Sequence, residues 1–364
     1  MNSEFFSAIE QIEKEKGIPQ GYMMEKVSQA LITAFKRDHA GCGDNIIVEP
    51  DSKKKAMRMY LEKEVVEEVE NPMLQITLDE ARLISKKAGP GDVVRVEVST
   101  KNFGRIAAQT AKQVIIQGIR EAERGLVYQE FTSKEHEILN AQVNRIDPRN
   151  GGVVLEIYGT SKDKAEAFLS ANEQVPGEEL IEGEHIKIYV VEVKNSVKGP
   201  QILISRTHPG LVRRLFEIEV PEIHDGTVEL KSIAREAGSR TKIAVISHDE
   251  NVDPIGACVG SKGSRVAAIV DELRGEKIDI IKYSEAPEEY IAAALSPADV
   301  TSVIMTEDGH GCRVIVPDDQ LSLAIGKEGQ NARLAAKLTG FKIDIKPESQ
   351  ADDDCFDASA EDKE

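Results

Sequence analysis

The sequence has little of the chemistry that metal and redox sites use. Its four cysteines, Cys42, Cys258, Cys312 and Cys355, are scattered and form no CxxC pair, and its seven histidines form no HxxxH cluster. Protein ligands of zinc usually occur at such short spacings, so the sequence predicts no metal site, and we expect no cofactor. Scattered cysteines instead predict free thiols in a reducing compartment.

Long apolar runs are also missing. No segment approaches the ~18 apolar residues that span a bilayer, so we expect no membrane association. Residues 1–6 lack the basic and apolar regions with which a signal peptide begins. These two absences predict a cytoplasmic protein, and its length of 364 residues predicts more than one domain.

Positive charge is scarce. The chain has 46 Lys and Arg against 64 Asp and Glu, a net charge of -18, whereas nucleic acids favour basic partners. Binding depends, however, on where positive charge is clustered rather than on the sum. Residues 349–364 contain seven carboxylates and one lysine, so part of the deficit belongs to a C-terminal segment that we predict to be a short, acidic, disordered tail.

An internal repeat occupies the C-terminal third of the chain. A Gly-x-x-Gly motif at residues 260–263 recurs 66 residues later at 326–329. The sequence Lys-Ile-Asp-Ile at 277–280 recurs at 342–345, one residue earlier than that offset predicts. Self-similarity at a fixed spacing indicates a repeated structural unit, here of about 65 residues. The second copy has a one-residue deletion in its second helix or in the turn that follows.

Each unit is predicted to follow the order α-β-β-α-α-β. The Gly-x-x-Gly motif joins the two consecutive helices, and Gly275 ends the second of them in the first unit. Asp253 and Pro254 provide an N-cap acceptor and a proline at the first helical position. Asp319 is expected to cap the corresponding helix of the second unit.

The two loops have the properties of a phosphate-binding site. Glycine lets the backbone turn sharply and approach a ligand closely, and the helix that follows begins with unpaired N–H groups and a partial positive charge. Lys262 and Arg265 add charge at the first loop, and Lys327 and Arg333 at the second, where Glu328 opposes it. One Gly-x-x-Gly motif is common in turns, but two in equivalent units predict tandem KH domains, which bind single-stranded RNA.

The segment 137–206 is rich in predicted strands. Asn150 and Gly151 predict a hairpin turn, and five short strands in about 70 residues predict a small closed barrel of the OB type. Such barrels bind single strands by stacking bases on aromatic side chains. Tyr158, Phe168 and Tyr189 are the candidates for base stacking, although each is equally compatible with a core or an ordinary surface position.

The N-terminal part predicts a mixed domain. Two apolar stripes at helical spacing, at residues 5–12 and 27–35, predict helices that face a core. A hairpin is predicted around residues 51–55, and one long helix over residues 103–131. This part has no basic stripe, so it is better suited to contact a protein than RNA.

Longer motifs resemble a known family. They comprise QTAKQVI at 109–115, REAER at 120–124, ISRTHP at 204–209, FEIEVPEI at 216–223, RTKIAV at 240–245, DPIGACVG at 253–260 and IGKEGQNARL at 325–334. With the barrel–KH–KH order, they resemble the NusA family of bacterial transcription factors over about residues 1–348.

The resemblance implies a multidomain α+β protein. It has an N-terminal α/β domain with a long connector helix, an S1 barrel of the OB type and two type II KH domains. The implied boundaries are 1–132 for an RNA-polymerase-binding domain, 133–207 for the S1 domain, 208–284 and 285–348 for the KH domains, and 349–364 for the acidic tail. Some members carry two further acidic repeats, and contacts made by those repeats are not implied here.

The resemblance also implies a function. Members bind core RNA polymerase and nascent single-stranded RNA, and they modulate pausing, intrinsic termination and antitermination with other Nus factors and a small ribosomal protein. We expect a monomer without enzymatic activity. The expected RNA-binding residues are Gly260, Ser261, Lys262, Gly263, Arg265, Arg240, Lys242, Gly326, Lys327, Glu328, Gly329, Gln330, Asn331 and Arg333.

An RNA-processing exonuclease is the alternative, because some phosphorolytic nucleases carry KH and S1 modules. Those place one KH domain before the S1 domain and add large catalytic domains, whereas the predicted order is reversed here. No paired carboxylates or histidine constellation suited to acid–base catalysis stand in the remaining sequence. The lack of a GxxxxGKS/T loop disfavours a KH-bearing GTPase, and the acidic charge disfavours a structural protein of the ribosome.

Overall fold

The structure is a computed structural model that describes residues 3–39, 41–51, 56–98, 104–159, 164–196 and 199–350. The predicted turn at 52–55 and the predicted acidic tail after residue 350 lie outside the described residues. The chain divides into two compact units, Met1–Val127 and Tyr128–Glu364, and each is described by itself. Within the described ranges, no helix combines the length and the apolarity that crossing a bilayer requires.

The first unit combines helices with a small sheet. Its elements are α1 (Ser3–Lys16), α2 (Gln20–Asp38), β1 (Ile46–Asp51), β2 (Ala56–Val66), β3 (Gln75–Thr77), α3 (Leu78–Ile84), β4 (Val93–Glu97) and α4 (Gly104–Thr132), whose last residues belong to the second unit. β2 pairs with β1 and β4 in antiparallel fashion and with β3 in parallel. The mixed α/β character agrees with the prediction.

The apolar stripe of α2 faces the core, as its spacing predicts. Val27 and Phe35 are buried against Ile46 of β1 and Met59 of β2. The hairpin of β1 and β2 is also confirmed, with Asp51 opposite Ala56 as the last pair before the turn.

The sequence did not predict β3 and α3, which are only three and seven residues long. The signal for α3 is a capping box, because the Thr77 hydroxyl accepts a hydrogen bond from the backbone N–H of Glu80 at 3.4 Å. Periodicity alone does not reveal elements this short.

A five-stranded closed barrel opens the second unit. Its strands are β5 (Ile138–Ile146), β6 (Val153–Tyr158), β7 (Lys164–Leu169), β8 (His185–Ser196) and β9 (Gly199–Ser205), in the order β5-β6-β7-β9-β8. Val153, Leu155 and Ile157 alternate inward and are at most 1% exposed. The barrel closes where Phe168 of β7 pairs with Leu203 of β9. The predicted OB-type architecture is confirmed.

Two repeated units follow, here called KH1 and KH2. KH1 comprises α5 (Pro209–Glu219), α6 (Pro221–His224), β10 (Val228–Glu236), β11 (Arg240–Ser247), α7 (Pro254–Val259), α8 (Ser264–Glu272) and β12 (Lys277–Lys282). KH2 comprises α9 (Pro287–Ala294), β13 (Ser302–Met305), β14 (Gly311–Val316), α10 (Leu321–Ile325), α11 (Gln330–Thr339) and β15 (Lys342–Pro347). Each sheet has one antiparallel pair and then a parallel third strand. The predicted element order is confirmed, apart from the additional short helix α6.

The predicted deletion lies in the turn after the second helix. Four residues, 273–276, separate α8 from β12, whereas two, 340–341, separate α11 from β15.

The helix caps also differ. Asp253 accepts hydrogen bonds from the N–H groups of Ile255 and Gly256, but the residue before α10 is Gln320, which makes no side-chain cap. The expectation that Asp319 caps this helix is therefore wrong, because α10 begins two residues after it.

The sheet of KH1 is buried on both faces. Ile243 and Val245 of β11 point towards the helices of KH1 itself. Ala244 of the same strand, with Ala234 and Ile281, belongs to a cluster formed with the helices of KH2. We call this second face the outer face of the sheet. The barrel in turn contacts α5, so barrel, KH1 and KH2 form successive layers.

A buried ion pair joins KH1 to the end of the barrel. The Arg235 guanidinium donates to both carboxylate oxygens of Glu276 at 2.9 Å and to the carbonyl oxygens of Arg206 and His208. Glu276 also accepts from the Thr241 hydroxyl at 2.5 Å. Burial alone would raise the pKa of Glu276, but Arg235 and these donors hold that pKa below its usual range.

We expect Glu276→Ala to lower the free energy of unfolding by about 3–5 kcal/mol, because the buried guanidinium of Arg235 loses its carboxylate. The folded-state pKa of Glu276 is lowered, so this stabilisation is complete above the usual carboxyl pKa and declines as the pH falls through the folded value. Chemical denaturation at several pH values measures both effects. Glu192→Ala, which breaks an exposed pair with Lys194, is the control and should cost under about 1 kcal/mol. Equal losses in the two variants would contradict the role of the buried pair.

Candidate nucleic-acid interface

The two Gly-x-x-Gly loops have the same backbone conformation. Gly260 has φ 73° and ψ 179°, and Gly326 has φ 75° and ψ 171°. The third residue is left-handed in both loops, with φ 52° at Lys262 and φ 53° at Glu328. A lysine and a glutamate therefore occupy one structural position in the two loops.

The first glycine of each loop is required by a close approach as well as by its positive φ. A Cβ atom on Gly260 would lie 2.7 Å from Cγ of Arg265, and one on Gly326 would lie 2.8 Å from the backbone nitrogen of Asn331. The residue five positions after the glycine thus lies over it in both units.

That residue ties the loop to the preceding helix. Arg265 donates to the carbonyl oxygen of Ala257 at 2.6 Å and pairs with Glu222 at 2.8 Å. Asn331, which is 2% exposed, donates through Nδ2 to the carbonyl oxygens of Ala324 and Leu295. The charge of Arg265 is thus already balanced by a carboxylate, and Asn331 holds the loop from inside the core.

The exposed positions of the loops are their two central residues. Ser261 and Lys262 are exposed in KH1, and Lys327 and Glu328 in KH2. α8 and α11 begin immediately after the loops, so their first N–H groups lie next to these side chains. The arrangement provides a lysine and backbone donors at each loop, with Glu328 as an opposing charge at the second.

The loop of KH2 lies against the β10–β11 turn of KH1. Gln330 donates to Glu236 at 2.9 Å and to the Ser239 hydroxyl at 2.7 Å. Arg333 donates to both oxygens of Glu236, at 2.8 Å and 3.2 Å. This bidentate pair lowers the pKa of Glu236. Gln330 and Arg333 therefore fix the position of the second loop relative to KH1.

A groove crosses this seam. It has a volume of 380 Å³ and is lined by Ser239, Arg240, Lys277, Ser322, Leu323, Gly326, Lys327, Gln330 and Asn331. Sequence reasoning missed Ser239, Lys277, Ser322 and Leu323. The repeated Lys-Ile-Asp-Ile motif is the signal for Lys277, because it places that residue beside Arg240 in the parallel pair of β11 and β12.

Lys242 does not lie in the groove. Its side chain is 0% exposed, and its ammonium donates to Asp279 at 3.0 Å and to the carbonyl oxygen of Ser296 at 2.7 Å. Burial lowers the pKa of Lys242, although Asp279 opposes that effect. The expectation that Lys242 binds RNA is corrected, because its ammonium is buried in hydrogen bonds between KH1 and KH2. Arg240 remains at the groove and forms a bidentate pair with Asp279.

The three barrel aromatics differ in exposure. Tyr158 is 44% and Phe168 49% exposed, and Tyr158 donates to Gln142 at 2.9 Å. The ring of Phe168 lies over Gly152, where a Cβ atom would be 2.2 Å away. Tyr189 is 6% exposed and stacks on His208 with centroids 4.8 Å apart. The expectation that Tyr189 stacks on a base is corrected, because it is buried between the barrel and KH1.

The buried thiols are structural. Burial raises the pKa of Cys258 to about 12 and that of Cys312 to about 11, so both are protonated and unreactive at neutral pH. Cys42, Cys258 and Cys312 form no disulfide, and Cys355 lies outside the described residues. In the described part of the chain, no group of three or more His, Cys, Asp or Glu side chains is placed to hold a metal ion.

Family models match three parts of the chain. They describe a NusA N-terminal domain at residues 4–125, a NusA-like first KH domain at 206–283 and a NusA-like second KH domain at 287–353. Part of the chain is also similar to the solution structure of the N-terminal domain of NusA from Bacillus subtilis. That similarity has 44% sequence identity and a TM-score of 0.29, and it covers 34% of this chain and 99% of that one.

Curated relatives match almost the whole chain. Transcription termination/antitermination protein NusA from Halalkalibacterium halodurans is 54% identical, over 96% of this chain and 90% of that protein. The protein of the same name from Bacillus subtilis is 53% identical, over 96% and 92%, and that from Thermus thermophilus is 41% identical, over 94% and 89%. The chain therefore belongs to the NusA family of transcription termination/antitermination proteins.

Proposed function

We propose that this chain modulates pausing, intrinsic termination and antitermination by binding core RNA polymerase through residues 1–132 and nascent single-stranded RNA through the barrel and both KH units. The observation that carries the RNA-binding part is the groove at the seam. There the loop of KH2 and the cations Arg240 and Lys277 of KH1 line one surface. An RNA strand held by both loops would pass over that seam.

Local charge supports an RNA site in an acidic protein. Arg265 and Arg333 are paired with Glu222 and Glu236, so they orient the loops and add little net charge. The lysines at 262, 277 and 327 are exposed. Phosphate contacts by a few lysines and by backbone N–H groups suffice for a KH loop, which holds the backbone of about four nucleotides. The exposed ring of Phe168 extends the surface with a stacking partner for a base.

We also propose that the chain is not an enzyme. Its relatives carry the names of transcription termination/antitermination proteins. The barrel precedes both KH units, the opposite of the order expected for an exonuclease. The same family membership supports a monomeric, cytoplasmic protein that acts with other Nus factors and a small ribosomal protein.

Exposed apolar side chains support a polymerase contact in the first unit. Leu83 is 88%, Ile84 50% and Val93 63% exposed, and the elements that carry them, α3 and β4, contact each other. Contiguous exposed apolar surface is characteristic of protein interfaces. We propose that this α3–β4 patch contributes to the binding of core RNA polymerase.

Replacing Ser261 and Lys262 together by aspartate should lower RNA affinity at least about tenfold at low salt, and less at high salt, because the exposed loop must face phosphate. Filter binding with a single-stranded RNA measures the change. Aspartate at both Ser85 and Lys86, an exposed Ser-Lys pair in the first unit, is the matched control. Unchanged affinity in the folded loop variant would remove the first loop from the site.

Glu328→Lys should raise RNA affinity several-fold at low salt. The substitution places a lysine at the left-handed position that Lys262 occupies in KH1, and it replaces a repelling carboxylate by a cation near phosphate. Glu328→Gln, which removes only the repulsion, should give an intermediate value. Unchanged or lower affinity with lysine, measured in the same assay, would contradict a phosphate contact at this loop.

Leu83→Asp combined with Val93→Asp should weaken the pull-down of purified core RNA polymerase at least about tenfold, because an aspartate buried in an apolar interface loses hydration without a partner. RNA affinity should stay unchanged. Ile181→Asp alters an equally apolar side chain, 67% exposed in the barrel part, and serves as the control. Full polymerase binding by the double variant would exclude the α3–β4 patch.

A further inference from the structure

KH1 and KH2 carry equivalent side chains on the outer faces of their sheets. In KH1, Lys242 of β11 lies directly beside Asp279 of β12. In KH2, Arg313 of β14 lies beside Asp344 of β15 in the same register. A cation and a carboxylate thus form the centre of both outer faces.

The neighbouring strand continues this equivalence. The residue opposite the cation is Ala234 in KH1 and Ile304 in KH2, both apolar. Two positions earlier on the same strand, both units have a serine, Ser232 in KH1 and Ser302 in KH2. The two outer faces therefore present a serine, an apolar side chain and an ion pair in one arrangement.

In KH1, this arrangement binds helices. Ser232 shares a hydrogen bond of 2.7 Å with the hydroxyl of Tyr290 on α9. Lys242 donates to the carbonyl oxygen of Ser296 in the turn after α9 at 2.7 Å. Ala234 is 3% exposed within the cluster that the helices of KH2 complete. Each element of the outer face of KH1 is thus covered by the helices of KH2, where α11 contacts β10 and β11, or by the turn after α9.

In KH2, several described side chains of the same face are exposed, although that of Arg313 is only 18% exposed. Ile304 is 57% exposed, and the side chain of Asp344 is 60% exposed, against 21% for Asp279 in KH1. Arg313 and Asp344 are 3.9 Å apart, a looser pair than the 3.0 Å of Lys242 and Asp279. A groove of 810 Å³ runs along this face, lined among others by Ile304, Thr306, Arg313, Lys342 and Asp344.

We propose that the outer face of KH2 is a docking surface for a pair of α-helices supplied by another protein. The partner's helices present short apolar side chains to Ile304 and a hydroxyl to Ser302. A carbonyl oxygen at the C-terminal end of one helix accepts a hydrogen bond from Arg313. KH2 itself makes these three contacts on KH1. The proposed partner would therefore be recognised in the same way as KH1 recognises the helices of KH2.

Two other occupants fit less well. RNA would bring phosphate towards the carboxylates of Glu307, Asp308 and Asp344, which line the groove. In a second copy of this chain, the helix pair that fits such a face is already engaged, because α9 and α11 cover KH1. The charge and the occupied helices therefore favour a separate helical protein.

The test attaches a second copy of KH2, whose helices already fit the equivalent face of KH1. A second copy of residues 283–350 is joined directly after Pro347, so that residues 283–286 lead from β15 to a copied α9 as they lead from β12 to α9. Ile304→Cys in the original KH2 reports access to the outer face, in a Cys42→Ser background. The reference is the same variant chain ending at residue 350. We expect the copied module to slow maleimide modification of the cysteine at position 304 at least about tenfold, since a short linker gives a millimolar effective concentration.

Variants at Arg313 in the original KH2 identify the contact. Arg313→Glu removes the donor and repels Asp344, so it should restore rapid modification, whereas Arg313→Lys recreates the cation of KH1 and should keep the protection. The copied Cys312, buried in folded KH2, verifies folding, because it reacts only when the copy is unfolded. A folded copy that leaves the cysteine as reactive as in the reference overturns the proposal. Protection of the reference chain by single-stranded RNA would overturn it as well, and would assign the face to RNA.

Discussion

Burial of the KH1 sheet on both faces is the constraint on which the rest of the second unit depends. A sheet with helices on only one side would leave Ala234, Ala244 and Ile281 exposed, whereas here the helices of KH2 cover them. The ammonium of Lys242 enters this layer because Asp279 and the carbonyl oxygen of Ser296 satisfy it. This packing fixes KH2 relative to KH1, and so it places the second loop at the end of the first sheet. The groove at the seam is a consequence of that packing.

The distribution of charge explains how a chain with a net charge of -18 belongs to a family whose KH units suit RNA. The arginines near the loops already have carboxylate partners, as Arg333 has in Glu236 and Arg265 in Glu222. These pairs position backbone and loop, and they contribute little to the long-range field. In the proposed RNA site, a few exposed lysines supply the electrostatic attraction of phosphate. A site built in this way depends on geometry more than on total charge, which keeps non-specific attraction for nucleic acid low.

Much of the fold could be predicted from the sequence, because local sequence patterns determine many of its elements. The 66-residue repeat, the barrel strands and the two loops all follow from spacing and turn chemistry. The side chains that were misassigned share one cause. In the sequence, Lys242 and Tyr189 have the pattern of surface residues of a strand. In the structure a neighbouring layer covers both, and local sequence patterns do not predict where that layer packs. The predicted cap by Asp319 was wrong for a local reason, since α10 begins two residues beyond the repeated position. Lys277 was missed because only the pairing of its strand with β11 places it beside Arg240 at the groove.

The turn before the last strand shows how single residues separate two copies that share a loop geometry. Directly before the repeated Lys-Ile-Asp-Ile, KH1 has Glu276, whose carboxylate anchors Arg235 and Thr241 at the junction with the barrel, whereas KH2 has Phe341. At the register positions of Arg235 and Thr241, KH2 has Met305 and Cys312, which cannot form the ion pair and hydrogen bond that hold KH1 to the barrel. The two units are therefore not interchangeable along the chain. One carboxylate and two differences of polarity, all at a single corner of the sheet, thus determine which of the two units can follow the barrel.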